Sequence, residues 1–226
     1  MRKRTGVLLG LLGAAVGLVA GLPLSWVAAP VPDIGARYSG TWWNGQASGV
    51  PLLGQVSVDG GLTSVGLATP PGDVTLMAQL GPRSLNDLAL AMPIDRLPTS
   101  DARLAGLAGQ FSLRIDAARY SGAGCESAEG TASTNVLAVN GARFSWEGPV
   151  LSGPVDCVDG RLRVQLSGED GGTTVRSVTT TGVDGLYQTD TTVTTADPAA
   201  GNALVLFGFT RSGAREFTLS EQGRWQ

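Results

Sequence analysis

Apolar and polar positions alternate through most of this chain. In "GQFSLRIDAARYSG", Phe111, Leu113, Ile115 and Ala117 fall on one side, and Ser112, Arg114 and Asp116 on the other. That period of two belongs to a half-buried strand. "GRLRVQLSG" repeats it with Leu162, Val164 and Leu166. "TTVRSVTTTGVDGLYQTDTTVTT" is rich in threonine, with a turn between Gly182 and Gly185. Its alternation predicts a solvated strand face rather than a disordered linker. "NALVLFGFTRSGAREFTLSEQGRW" reads as a hairpin turning at Arg211-Ser212-Gly213. Turn residues recur at roughly ten-residue intervals, the spacing of antiparallel β proteins. One stretch departs from this. In "SLNDLALAMPIDRLP", Leu85, Leu88 and Met92 stand near helical spacing. Ser84 is an acceptable N-cap there, and Pro93 a stop. The pattern predicts a mainly β fold with at most one short helix, and no domain boundary after residue 35.

The start of the chain has a different pattern. "MRKR" precedes a run with no charge until Asp33. The apolar stretch is long enough for a bilayer-spanning helix, which needs about 20 residues. A basic start and Val27-Ala28-Ala29 also suit a cleaved signal peptide. The run exceeds the usual signal length, however, and Pro30 would follow the cut, so an uncleaved anchor is the better reading. The predicted organisation is a cytoplasmic tail (1–4), a transmembrane helix (5–29), a linker (30–36) and a β-rich domain (37–226) across the membrane, following the positive-inside rule. Gly13, Gly17 and Gly21 form GxxxG spacings that would let two such helices pack closely, although small residues are common in membrane helices generally.

"GTWWNGQASG" follows soon after. The stretch around it reads as strand, turn, strand, with Asn44-Gly45 as the turn signal. Neighbours in a strand point to opposite faces, so Trp42 and Trp43 would not share a core. One is expected inside; the other packs at an edge or meets solvent or a partner.

Charge and composition remove several function classes. Three of the 16 basic residues are Arg2, Lys3 and Arg4, which leaves 13 basic against 19 acidic residues in the rest of the chain. An acidic body does not suit nucleic acid, which demands a basic surface. The chain has no histidine, so the commonest general base and zinc ligand are missing. A Ser-His-Asp arrangement is impossible. A Ser-Lys dyad fails too, because Lys3 is the sole lysine. The carboxylate pairs Glu126 with Glu129, Asp156 with Asp159, and Glu169 with Asp170 lie in turn-like contexts where solvated acids are usual. "SGEDGGT" lacks the spacing of a calcium loop. We therefore expect no catalytic residues, no metal and no cofactor. Cys125 and Cys157 are an even number in a chain expected on the oxidising side. A bridge between them would contribute about 3–4 kcal/mol; two buried free thiols are the alternative.

Together these segments resemble a known family. "SGTWWNGQA" resembles the tryptophan–asparagine–glycine segment of type II secretion system protein N. "GAGCESAEG", "FSWEG" and "LSGPVDCVDGRLRVQLSG" resemble that family's two-cysteine run, and "FTLSEQGRW" its closing strand. The resemblance covers nearly the whole chain, anchor included. It implies a single-pass protein of the bacterial inner membrane with a periplasmic domain built on a curved antiparallel sheet. It also implies a Cys125–Cys157 pair and no catalytic residues. The implied partners are other inner-membrane proteins of the secretion platform, and the candidate contact residues are Trp42, Trp43, Asn44 and Gly45. The family is distantly similar to AsmA-like proteins, whose curved sheets are associated with lipid and envelope assembly. The alternative reading is therefore a lipid-handling module that holds acyl chains on an apolar sheet face.

Overall fold

A computed structural model describes residues 24, 35–96, 106–144, 146 and 148–224. The tail (1–4), nearly all of the predicted span (5–29), Gly13, Gly17, Gly21 and most of the linker lie outside the described residues. Among the described residues, no helix is long and apolar enough to cross a membrane.

The described chain is built on a 14-stranded antiparallel sheet. Its strands are β1 (Arg37–Thr41), β2 (Asn44–Val50), β3 (Gly54–Gly60), β4 (Val65–Ala68), β5 (Thr75–Leu80), β6 (Ser84–Pro93) and β7 (Gln110–Ser121). They continue with β8 (Gly124–Thr134), β9 (Leu151–Val158), β10 (Arg161–Asp170), β11 (Thr173–Thr181), β12 (Leu186–Thr194), β13 (Thr210–Arg211) and β14 (Glu216–Arg224). Every strand from β1 to β11 pairs with the next in sequence, and only the last two swap places, β12–β14–β13. Such a meander follows from short polar turns between alternating segments. Two α-helices interrupt it, α1 (Val136–Asn140) and α2 (Pro198–Leu206).

Three sequence expectations change. Residues 84–93 form β6, not a helix. Asp87, with φ of 50°, breaks the alternation. Leu85 and Leu88 thus stand three apart on one face, and that spacing imitates a helix. The same break passes through β7, where the register shifts between Ile115 and Ala117. Ala118, at 1% exposure, takes the inner place that strict alternation gives to Ala117. Finally, the first half of "NALVLFGFTRSGAREF" is helical, which makes two α-helices among the described residues from 35 onward rather than at most one. Asp197 caps α2 by accepting from the Ala199 amide at 2.8 Å, with Pro198 in the first turn, a standard helix start. Only the β13–β14 part is the expected hairpin.

The register puts one line of side chains on a single face. It runs through Tyr38, Ala47, Val58, Leu67, Leu76, Leu90, Leu113, Ala132, Gly153 and Leu166. We call this the inner face. From β1 to Leu166 in β10 its strand positions carry no charge, whereas Gln46, Ser57, Gln79, Arg114, Thr131 and Arg163 point outward. Ile115, Ala118, Ala132 and Val155 form one buried cluster on the inner face, and Leu151, Val175, Val193, Leu204 and Phe217 a second. β8 and β10 are not neighbours, yet they touch across β9. The sheet is therefore coiled sharply here, which lets residues on one face occlude each other.

Two crosslinks hold this coil. Cys125 and Cys157 form a disulfide between β8 and β9, with Cα atoms 5.7 Å apart. On the outer face, Arg163 grips Asp156 through two hydrogen bonds of 2.8 and 2.5 Å. The hydrogen bond from Arg163 holds the Asp156 carboxyl below its ordinary range. We expect the double change Cys125→Ser, Cys157→Ser to lower the unfolding free energy by about 2–4 kcal/mol in a urea titration. Because the folded-state pKa of Asp156 is depressed, its contribution is complete above the unfolded value of about 4 and is lost as pH falls through the folded one. Asp156→Asn should thus lower the melting temperature at pH 7, and its gap to the wild type should close in acid.

Candidate functional site

With so few helices, most of the inner face has no second layer among the described residues. The result is an apolar groove running along a sheet of 14 strands, roughly 60 Å at ordinary strand spacing. Val65, Leu67, Leu76, Leu85, Leu88, Leu90 and Leu113 on its floor are only half-buried, and Leu80 is 38% exposed. A face of this kind on a protein surface marks a contact or ligand site.

The β1 end of the groove is built from small residues that receive large ones. Trp42 and Trp43 form the two-residue turn between β1 and β2, since Thr41 pairs with Asn44. The expected Asn44-Gly45 turn is displaced by two residues, and Asn44 and Gly45 open β2. A turn at Asn-Gly would need positive φ at both residues; in this region positive φ occurs at Gly40 instead. Both tryptophans are half-buried. The Trp42 carbonyl accepts from the Gly60 amide at 3.0 Å. Its indole lies against Gly60, where an added methyl would come 2.7 Å from Nε1. Gly45 does the same for Leu24, the single described residue of the apolar N-terminal segment. Leu24 is 3% exposed, and a methyl on Gly45 would sit 2.6 Å from its Cδ2. The sequence motif is thus explained by packing: its glycine makes room for the end of the apolar segment.

The far end of the groove is covered. α2 crosses the inner face with Ala200, Gly201, Ala203 and Leu204 buried. Gly201 sits over the Phe217 ring, where a methyl would meet Cζ at 3.0 Å. Trp146 donates from Nε1 to Thr173 Oγ at 3.4 Å, and Thr173 shares a 2.8 Å hydrogen bond with Thr195. Asn140 ties α1 to the chain before β7, bonding both the amide and the carbonyl of Ala108. Beneath this cover lies a cavity of about 400 Å³, walled by Leu137, Trp146, Leu151, Leu166, Phe209 and Leu219. The threonine run, expected to be a solvated face, supplies part of the inner face here. Ser177 pairs with Thr191 and Thr179 with Thr189, each at 2.9 Å. A wider depression of about 620 Å³ lies on the opposite face over β6 to β9. Its lining is mostly Ala, Ser, Thr and Arg114, and it selects no particular ligand.

Among the described residues no three His, Cys, Asp or Glu side chains cluster to hold a metal. Glu126 and Glu129 are exposed on β8, Asp156 is engaged by Arg163, and Glu169 and Asp170 are exposed at the end of β10.

The family described as Type II secretion system (T2SS), protein N matches residues 36–220. The chain belongs to the type II secretion system protein N family. The match begins where the sheet begins and ends within β14, so the apolar segment lies outside it. No curated protein and no solved structure gives a significant match. Within this protein N fold, the cysteine run falls on β8 and β9, and the tryptophan–asparagine–glycine segment on the first hairpin. Sequence reading missed the α2 cover, although the Asp197-Pro198 start was visible. It also missed the role of Leu24, which no local pattern reveals.

The contact between Leu24 and Gly45 predicts a specific loss. Gly45→Val should destabilise the fold by about 1–3 kcal/mol through overpacking and should expose the chain near Leu24 to protease. Gly122→Ala, where the new methyl meets nothing within 4 Å, should leave both readouts unchanged.

Proposed function

We propose that this protein N family member is a non-enzymatic accessory component of the inner-membrane platform of a type II secretion system. An N-terminal helix tethers the sheet at the periplasmic side of the membrane, where it makes assembly contacts during export of folded proteins across the outer membrane. The family match over residues 36–220 carries this reading. The seat of Leu24 on β2 supports it, because that contact ties the apolar segment to the first hairpin and so sets the hairpin close to the bilayer. The absence of histidine supports the non-enzymatic part. Gly45 is buried beneath Leu24 and holds the hairpin. Contacts with other platform proteins fall to Trp42, Trp43 and Asn44, and to the outer edge of β14. Beyond Thr218, no described strand pairs with that edge, and such an edge accepts an added strand.

A second reading draws on the groove itself. An inner face without charge from β1 to Leu166 suits acyl chains better than a folded protein surface, which presents polar groups at its rim. On this reading the protein holds lipid for envelope maintenance, as an AsmA-like module would.

Photocrosslinking in cells from Trp43 and from Gln222 separates the two. Gln222 is used because it is exposed on β14, whereas Phe217 is 2% exposed and cannot reach a partner. The platform reading predicts a secretion-system inner-membrane protein in the adduct from at least one position. Phospholipid alone at both positions would overturn it in favour of the second.

A further inference from the structure

The cavity beneath α2 differs from the open groove that leads to it. Close-packed interiors do not keep voids of about 400 Å³, and a cavity of this size is in the range of sites that take small ligands. Its deep wall is apolar: Leu151, Leu166, Leu204, Phe209 and Leu219 with the Trp146 ring. The buried polar groups here are already satisfied. Asn140 makes three hydrogen bonds to backbone, and Trp146, Thr173 and Thr195 bond one another. None is left to orient a polar ligand at depth.

The other side of the cavity is hydroxylic. In the Ser177–Thr191 pair one hydroxyl donates to the other, so one O–H remains to donate outward. The neighbouring Thr179–Thr189 pair repeats this. Glu221 stands opposite Thr189 in the register, and it is the one ionisable side chain among the described lining residues. Polarity therefore rises in one direction, from a dry wall through hydroxyls to a single carboxylate at the exposed rim. That carboxylate repels a bare carboxylate or phosphate head beside it and attracts an ammonium group. Val205 and Leu206, 56% and 71% exposed at the end of α2, give an apolar approach next to the cover.

We infer that this cavity seats one acyl chain of a membrane amphiphile whose head group carries an ammonium, the chain against Leu166 and Leu219 and the ammonium at Glu221. The inference rests on the lipid reading of the groove and names its end point: the chain stops under α2, and the head is selected by charge.

The test uses the full chain in phosphatidylglycerol vesicles. These carry a trace of lysophosphatidylethanolamine with a photoactivatable group on its acyl chain, or the same acyl chain as lysophosphatidylglycerol. After irradiation, adducts are mapped by mass spectrometry. Labelling should concentrate on the peptides holding Leu166 and Leu204 to Phe209, and the ethanolamine probe should label them severalfold more than the glycerol probe. Leu219→Trp, which fills the cavity, should remove that labelling severalfold. Its folding is checked by the Cys125–Cys157 bridge on a non-reducing gel. Glu221→Gln, at an exposed position, should keep the labelling and erase the preference between heads. Labelling confined to the open groove at Leu67, Leu90 and Leu113 would overturn the seat while leaving the lipid reading intact. No labelling at either place would overturn both. Equal labelling by the two probes in the wild type would overturn the role given to Glu221.

Discussion

The structure depends on keeping one line of side chains on one face through 14 consecutive strands. A slip of one residue anywhere would turn every apolar side chain of the following strands outward. In an ordinary domain a second layer enforces the face by covering it. Among the described residues that layer exists only over β8 to β14, under α1, α2 and Trp146. Elsewhere the register is held by the ladder itself, by short turns, and by coiling that lets residues such as Ile115 and Val155 bury one another. The disulfide and the Arg163–Asp156 pair tie neighbouring strands where the coil is tight. The breaks at Asp87 and between Ile115 and Ala117 belong to the same scheme. They shift the alternation in adjacent strands together, so the inner face continues unbroken across them.

This constraint explains what was legible in the sequence. Strands β10, β11 and β12 alternate cleanly and could be read directly, as could β7 as far as Ile115. The two cysteines allowed a bridge, and the structure places it between β8 and β9. The Leu85/Leu88 spacing misled for a physical reason, because a bulge in a strand and a turn of helix both return a side chain to one face after three residues. The turn at Trp42-Trp43 was hidden because Asn-Gly is a strong local signal. Tertiary packing overrode it: Gly45 is needed under Leu24, and Gly60 under Trp42. Local patterns cannot show such pairs, since each partner lies in a different segment. The cavity was unreadable for the same reason, being made from six strands, two helices and the loops between them.

The two ends of the groove are built differently, and this bears on function. At β1 small residues accept side chains from the N-terminal side, so the apolar segment and the sheet are joined by direct packing as well as by the chain. At β14 a helix whose one polar side chain is the exposed Asn202 roofs a cavity and leaves valine and leucine exposed. The seat of Leu24, an apolar groove and a roofed cavity then follow one another along a single sheet. Membership in the protein N family sets the context of protein secretion.

The central claim is that one face runs continuously along the sheet and carries no charge from β1 to Leu166. Electron paramagnetic resonance with nitroxide amino acids, placed in the full chain in bilayers, tests it most directly. Labels at Leu67 and Leu90 report the inner face, and labels at Ser57 and Gln79 the outer. The account predicts that the inner labels collide with dissolved oxygen and are shielded from a water-soluble nickel chelate, and that the outer labels show the reverse. Equal exposure to the chelate on both faces would contradict it.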